Sequence, residues 1–595
     1  MLFSYCLFQK IPVRIFCMVK QVLDNKGVSA VLQEVALLLE LKGENPFKVK
    51  AYSNAARTIE ILEETLEGMV REGRLKEMKG VGEALSQHIA ELVTTGRIQL
   101  YEDLKNSVPA GHLEMLKIPG LGPKKIKSLY DKLDVKTVGE LEYACLENRL
   151  LDLQGFGQKS QEKILQGIQQ LKKYQGRYLY GEVIKPAHEI LKKILSHPKV
   201  TRGNLAGSLR RKMEVVKNIN LVLSTHRPQE VLTAFSKLPE VEEVRFKNKV
   251  SGRTLLFSGV EVDLRTAPDQ TFSNSLFYFT GSPGHWNAML ERAKGMGLRL
   301  SEEGLHQNGR LISSKEEGEI FDALGLDFIP PELRENQGEI EASEMHQLPR
   351  LIEDHDIKGI FHVHSFYSDG ANSLQSIAQA SKKMGFSYVG LSDHSQSAPY
   401  AGGLTPEKLK KQWKEIDLLN LEIEGLHLFK GIESDILPDG SLDYEEAILK
   451  RFDFVIASVH SHFHMSREEM TQRVTKAIRN PYTTMLAHPT GRLLLAREPY
   501  AVDMMRIIDE ASRSGVAIEL NTHPFRLDLD WRWCKYAKEK GVKIALNPDA
   551  HDEEGLKDTY YGVGIGRKGW LEPGDILNAM DFEEMKTFLE RRKPK

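Results

Sequence analysis

The four cysteines of this 595-residue chain, Cys6, Cys17, Cys145 and Cys534, form no Cys-x-x-Cys, so neither a disulfide framework nor a cysteine zinc site is expected. A reducing, cytoplasmic setting suits such usage. No stretch reaches the roughly 20 apolar residues of a membrane span, and no membrane partner is expected. Neither sign of charge is in excess: 81 basic residues against 83 acidic leave a formal −2, so any nucleic-acid face must be a local basic patch. Residues 1–17, MLFSYCLFQKIPVRIFC, are apolar but interrupted by Lys10, Pro12 and Arg14, and no small-residue cleavage site follows. They read as a disordered extension, with Met18 the better start. At about 150 residues per domain the length predicts three or four domains, and nothing demands a second subunit, so a monomer is expected.

What is present begins with a repeat. Met78-Lys-Gly-Val-Gly, Ile118-Pro-Gly-Leu-Gly and Leu153-Gln-Gly-Phe-Gly each open an amphipathic helical stretch. Glycines permit the tight turn, and the following helix offers unpaired backbone N–H groups to an anion. The pattern resembles the helix-hairpin-helix motif, which grips DNA without reading its sequence, and the resemblance implies that Gly80, Gly82, Gly120, Gly122, Lys124, Gly155 and Gly157 contact DNA backbone. From about residue 178 the β-type runs NINLVLST, RTLLFSG and VEVDLRT appear, preceded by Ala206-Gly-Ser-Leu-Arg-Arg211 and followed by Tyr278-Phe-Thr-Gly-Ser282. Paired guanidinium groups after a glycine turn suit a triphosphate.

These motifs, in this order, resemble a family X DNA polymerase over about residues 18–335. The resemblance implies a lyase-like helical domain (18–97), fingers (98–177), an α+β nucleotidyltransferase-type palm (178–267) and a thumb (268–335). Gly207, Ser208, Arg211, Tyr278 and Gly281 would hold the nucleotide and Asp263 a catalytic metal. The palm departs from the family at its centre, where Asn218-Ile-Asn220 replaces Asp-x-Asp. Magnesium pairs need anionic oxygens, and amides carry no charge, so magnesium binding is weakened and nucleotide addition is expected to be lost or severely impaired. Glu214 or Glu261 could substitute. Ala84 and His88 stand where lyase-active members have lysines, and an imidazole cannot form their Schiff base.

A polar connector, residues 336–356 behind Arg334, leads into alternating strands and helices, the pattern of a parallel sheet or barrel. Seven strand candidates are GIFHVHS, YVGLSDH, HLFKGIES, FVIASVH, TTMLAHP, VAIELNTH and KIALNPDAH. Metal-ligating residue types recur at their carboxyl ends, where (βα) barrels build their sites. This half is similar to the PHP domain, a metal-dependent phosphoesterase fold and a distorted (βα)7 barrel, over about residues 357–580 of the segment 357–595. Its ligand set maps onto His362, His364, Asp369, His394, Glu433, His460, His488, Asp549 and His551, with nothing missing. Imidazoles mixed with carboxylates suit manganese or zinc, up to three ions, rather than magnesium alone. Arg526, Asp393 and Ser461 are candidates to orient a phosphate; His355, His427, His462, His464 and His523 read as surface or supporting residues.

The expected whole is a multidomain DNA repair protein acting on gapped, nicked or 3′-recessed duplex, with 3′-to-5′ nuclease chemistry implied by the resemblance. Its rivals are an active gap-filling polymerase with an editing nuclease, a non-catalytic DNA-end scaffold, and a small-molecule phosphoesterase.

Overall fold

The computed structural model describes residues 25–592, apart from positions 61, 63, 79, 152 and 173–175; the expected extension and the Met18 start lie outside the described residues. The chain divides into two compact units between Thr137 and Val138. That division falls inside the segment expected to form the fingers, so the second hairpin belongs to the first unit and the third hairpin to the second.

The first unit is helical. In its opening helix, Asn25–Lys42, the three- and four-residue spacing of apolar side chains buries Leu32, Val35, Leu38 and Leu39. Helices α1 (Glu83–Thr95) and α2 (Pro123–Leu133) follow the first two glycine pairs. The second unit starts with α3 (Val138–Leu146) and α4 (Gln158–Lys172), which flank the third pair. All three hairpins share one geometry. Gly80, Gly120 and Gly155 each take φ +88°, open to glycine and costly for other residues. Val81, Leu121 and Phe156 donate their amides to Met78, Ile118 and Leu153 at 3.0–3.1 Å. The carbonyls of Gly82, Gly122 and Gly157 accept the first helical hydrogen bonds, from Ser86, Ile126 and Gln161.

Behind α4 lies a five-stranded sheet of β1 (Arg202–Ala206), β2 (Asn218–Ser224), β3 (Val241–Lys247), β4 (Ser251–Leu256) and β5 (Glu261–Ala267), in the spatial order β1-β2-β5-β4-β3. Its parallel pair, β2 and β5, sets Asn220 opposite Asp263. The edge strands β1 and β3 escaped the sequence reading because RGNLA and VEEVRFK carry the charges that blunt sheet edges, not an apolar run. Helix α5 (Phe272–Thr280) covers β2 through Phe272 and Leu276.

The polar connector is anchored at its start by buried charges. Arg334 is wholly buried, donating from Nη1 to Glu317 Oε1 at 2.7 Å and from Nε to the Ile329 carbonyl. Glu339, equally buried, begins α6 (Glu339–Glu344) and accepts from His285 Nδ1 at 2.7 Å. Each of these two charges is buried with a partner, whereas most of residues 344–350 are exposed.

The barrel consists of β6 (Gly359–Val363), β7 (Tyr388–Leu391), β8 (His427–Asp435), β9 (Phe454–Ser458), β10 (Met485–Leu486), β11 (Ala517–Asn521) and β12 (Ile544–Asn547), all parallel and in sequence order. Val363 bridges to Ala550, just beyond β12, so the sheet nearly closes on itself. Phe361, Tyr388, Phe429 and Phe454 cluster with Met585 and Leu589 of α8 (Phe582–Arg592), which follows α7 (Thr559–Lys568). Asn578 donates to the carbonyl of Gly359, the first residue of β6, so the tail closes the amino end of the barrel. The expected ligands occupy the other end. No helix among the described residues is long and apolar enough to cross a membrane.

Candidate metal centre and palm

All nine strand-end residues expected as ligands meet. Four overlapping groups have ligand atoms within 4.8 Å of one another: His364, Asp369, His394 and His551; His362, His364 and Asp549; His362, Glu433 and His488; and His394, Glu433 and His460. Glu433 is the hub. Its Oε1 lies 3.1–3.2 Å from Nε2 of His362, His460 and His488, and its Oε2 lies 2.9 Å from His394 Nδ1. Asp549 Oδ1 faces His364 Nε2 at 3.2 Å and His362 Nε2 at 3.4 Å. Asp369 Oδ2 faces His394 and His551 at 3.4 and 3.5 Å.

His362 and His364 converge, but not through regular strand alternation. The pairing of β6 with β7 shifts register between Ile360 and Val363, and His362 takes φ +58°. His488 and Asp549 are also left-handed, at +23° and +52°. Three strained non-glycine residues within one cluster mark a site whose geometry the surrounding fold over-determines.

Two carboxylates that the sequence reading passed over orient the imidazoles. Glu519 in β11, wholly buried, accepts from His362 Nδ1 at 2.7 Å, from Asn521 and Asn547 side chains at 3.0 Å, and from the His488 backbone N–H. Asp435 accepts from His460 Nδ1 at 2.6 Å. The signal was available: a glutamate inside the apolar run VAIELN has no reason to be there unless something buried needs its charge. With Nδ1 occupied, the Nε2 atoms of His362 and His460 turn inward toward Glu433, as outer carboxylates arrange in metal sites. His362 Nε2, both ring nitrogens of His364, Asp369 Oδ2, Glu433 Oε2 and His551 Nε2 are buried without a hydrogen-bond partner. Inward nitrogens and carboxylate oxygens left thus are what divalent cations would satisfy, so the residues fit two or more ions.

In the metal-free chain protons perform that neutralisation. Burial alone would lower the His362 and His394 pKa values, but Asp549, Glu519 and Glu433 around the first, and Asp369 and Glu433 around the second, carry both well above normal. His551, buried yet facing Asp369 and Glu147, is pushed up to about 9. Burial would raise Glu433, but His460, His362 and His394 hold it well below the carboxylate range. His488 goes the other way, to about 4, through burial and the neighbouring Arg526.

Arg526 does sit at the centre, with Nε 3.4 Å from Asp549 Oδ2. Asp393 is a correction: wholly buried, it accepts from the Ser365 backbone and hydroxyl, Ser368 and Gln412, and so ties down the loop that carries Asp369 instead of facing a phosphate. The carbonyl of Ser461 receives Arg473. Of the histidines outside the set, His355, His462 and His464 are exposed, and His427 and His523 are half-buried.

The palm has a cavity of about 650 Å³ lined by Asn218, Asn220, Arg253, Asp263, Arg265 and Phe279 among others. Asp263 is fully engaged: Arg253 donates to it from Nε at 2.6 Å and Nη2 at 3.2 Å, and Asn218 Nδ2 donates at 2.5 Å. Glu214 is buried against Arg492 at 3.5 Å, and Glu261 lies 3.9 Å from Arg253. Gly207 takes φ +63° and abuts Asn220, leaving no room for a Cβ. Arg211 has partners of its own: its Nε pairs with Glu335 at 2.8 Å and its Nη1 donates to the Thr280 carbonyl, so it braces palm to thumb. Ser208 stands in the four-residue helix beginning at Gly207; Tyr278 packs edge-on to Trp286, and Gly281 caps α5. In the first unit, His88 Nδ1 is bonded to Tyr52 OH at 2.7 Å. At the hairpins, a Cβ added to any of the six glycines would touch nothing within 4 Å, and Lys124 is exposed in the first turn of α2.

Known proteins resemble each of these parts. Family models match residues 23–98 (helix-hairpin-helix domain), 113–170 (SAM-like helix-hairpin-helix tandem), 275–335 (DNA polymerase beta thumb) and 361–523 (PHP domain). The DNA polymerase/3′-5′ exonuclease PolX of Bacillus subtilis (strain 168) is 38% identical, over 96% of this chain and 100% of its own. Probable phosphatases of Thermoanaerobacter sp. (strain X514) and Caldanaerobacter subterraneus are 28% and 30% identical, over 39% and 32% of this chain and 95% and 74% of theirs.

Proposed function

The chain belongs to the family X DNA polymerases that carry a C-terminal PHP domain, and on that premise we propose that it is a DNA-end repair enzyme working chiefly as a metal-dependent 3′-to-5′ exonuclease. The observation that carries the reading is the meeting of nine ligating side chains around Glu433, with inward atoms of His362, His364, Asp369, Glu433 and His551 left without a hydrogen-bond partner.

His362, His364, Asp369, His394, Glu433, His460, His488, Asp549 and His551 would hold manganese or zinc ions, which would supply Lewis acidity toward water and a phosphoryl oxygen. The chain's own residues do the rest. Glu519 and Asp435 fix the imidazoles, Arg526 orients the phosphodiester, and the glycine hairpins hold the DNA backbone through helix N-termini. A small-molecule phosphoesterase has no use for three such hairpins.

Nucleotide addition is proposed to be weak or lost. Asp263 supplies one carboxylate where two metals need several, and its charge is already offset by Arg253 while Asn218 donates a hydrogen bond to it. The test is a 3′-recessed duplex incubated with manganese, with no nucleotides or with all four. The primer is expected to shorten in both. Robust lengthening overturns the weak-palm reading, and shortening that persists in His362→Ala and Asp549→Ala overturns the site.

A further inference from the structure

Helix α3, which precedes the third DNA-gripping hairpin, reaches the nuclease centre. Its docking is tight. A Cβ on Gly139 would fall 2.3 Å from Ala496, in the loop after β10, and Glu140 lies 3.8 Å from Arg497. One turn on, Tyr143 is 4% exposed, edge-on to His523 at 5.4 Å and packed against Phe525. Arg526 Nε donates to the Tyr143 hydroxyl oxygen at 3.0 Å, and the guanidinium lies over the phenol ring at 4.9 Å. Only Nε of Arg526 is engaged by a side-chain hydrogen bond among the described residues, so both terminal amino groups remain for a ligand. Burial and Tyr143 together thus leave a fixed two-pronged donor next to Asp549.

We propose that Tyr143 is a positioning residue of the phosphodiesterase: it sets the Arg526 guanidinium so that both Nη groups meet the phosphate, and it joins the hairpin that holds DNA to the site that cuts it. The route is short. Gly155 and Gly157 follow α3 in the same hairpin, and Lys172 at the end of α4 returns to Glu142 of α3 at 2.6 Å. A guanidinium held at Nε is pre-organised for bidentate phosphate binding, whereas a free one must be ordered on binding. This rests on the proposed role of Arg526.

The test uses the full, manganese-loaded chain and two readouts: calorimetric binding of inorganic phosphate, and turnover of a 3′-recessed duplex. Tyr143→Phe is expected to weaken phosphate binding and lower kcat, each on the order of tenfold, the effect of losing one hydrogen bond to a charged group. KM for DNA and manganese stoichiometry should match the parent. In an Arg526→Ala background the same substitution should change neither readout further. The proposal is overturned if Tyr143→Phe equals the parent in both, or if its loss is undiminished in the Arg526→Ala background. A parent that binds phosphate in a Tyr143-dependent way yet cuts no DNA supports the positioning role and overturns the nuclease reading instead.

Discussion

At the scale of residues, the centre is governed by charge that has nowhere to go. Asp369, Glu433 and Asp549 are buried among imidazoles, and each buried charge needs a counter-charge. Glu519 lies beyond the reach of the inward-facing cluster but sets the His362 tautomer through a 2.7 Å hydrogen bond. Glu519→Gln should therefore lower manganese affinity about 10- to 100-fold while leaving the ligand set intact, as outer partners do elsewhere; calorimetry on purified chain measures it. The metal-free protein should also respond to alkali. The folded-state pKa of His551, about 9, lies above the ordinary value of 6.5, so its protonated form stabilises the fold fully below about 6.5 and that contribution is lost as pH rises through about 9. Melting temperature of the chelator-treated chain should fall between pH 7 and pH 9 in a way that manganese suppresses.

At the scale of elements, the barrel wall is built around aromatic rings. A Cβ on Gly390 of β7 would lie 2.1 Å from the Phe361 ring and 2.6 Å from Phe454, and one on Gly431 of β8 would lie 2.0 Å from Phe454. Rings in a close-packed interior cannot yield by that distance. Gly390→Ala should destabilise the barrel by roughly 1–3 kcal/mol, the usual cost of overpacking, read as a lower denaturant midpoint with an unchanged slope. The hairpins differ in kind. Their glycines at φ +88° face open space, so substitution there strains the turn without crowding a core, and is expected to weaken DNA binding more than it lowers Tm.

At the scale of the whole molecule, one chain joins a cluster of nine metal-ligating side chains to a palm in which Asn218 and Asn220 stand beside Asp263. If missing charge is what limits the palm, Asn218→Asp with Asn220→Asp should restore primer extension with magnesium, with no effect on the barrel's nuclease. A double variant that still adds no nucleotide would show that Arg211, held by Glu335, or another feature limits the palm instead. Glu335 is itself bonded to Lys568 of α7, so thumb and barrel together hold that arginine.

Much of this was legible in the chain alone. The three glycine hairpins, the seven barrel strands and the nine expected ligands are written locally, because a turn needs its glycines in sequence and a strand delivers its last residues to one known end of a barrel. Asn218 and Asn220 were equally plain. Only the tertiary structure decided that a bulge at His362, and not simple alternation, brings His362 and His364 together. It alone revealed Glu519 and Asp435 behind the imidazoles, Asp393 as a loop anchor, and the buried charges of Arg334 and Glu339, paired with Glu317 and His285, around the start of the supposed connector. Tyr143 lies 383 residues from the arginine it holds. Local physics writes turns and strand ends into neighbouring residues, whereas the partner of a buried charge is set by whatever the folded chain places beside it, at any distance in sequence.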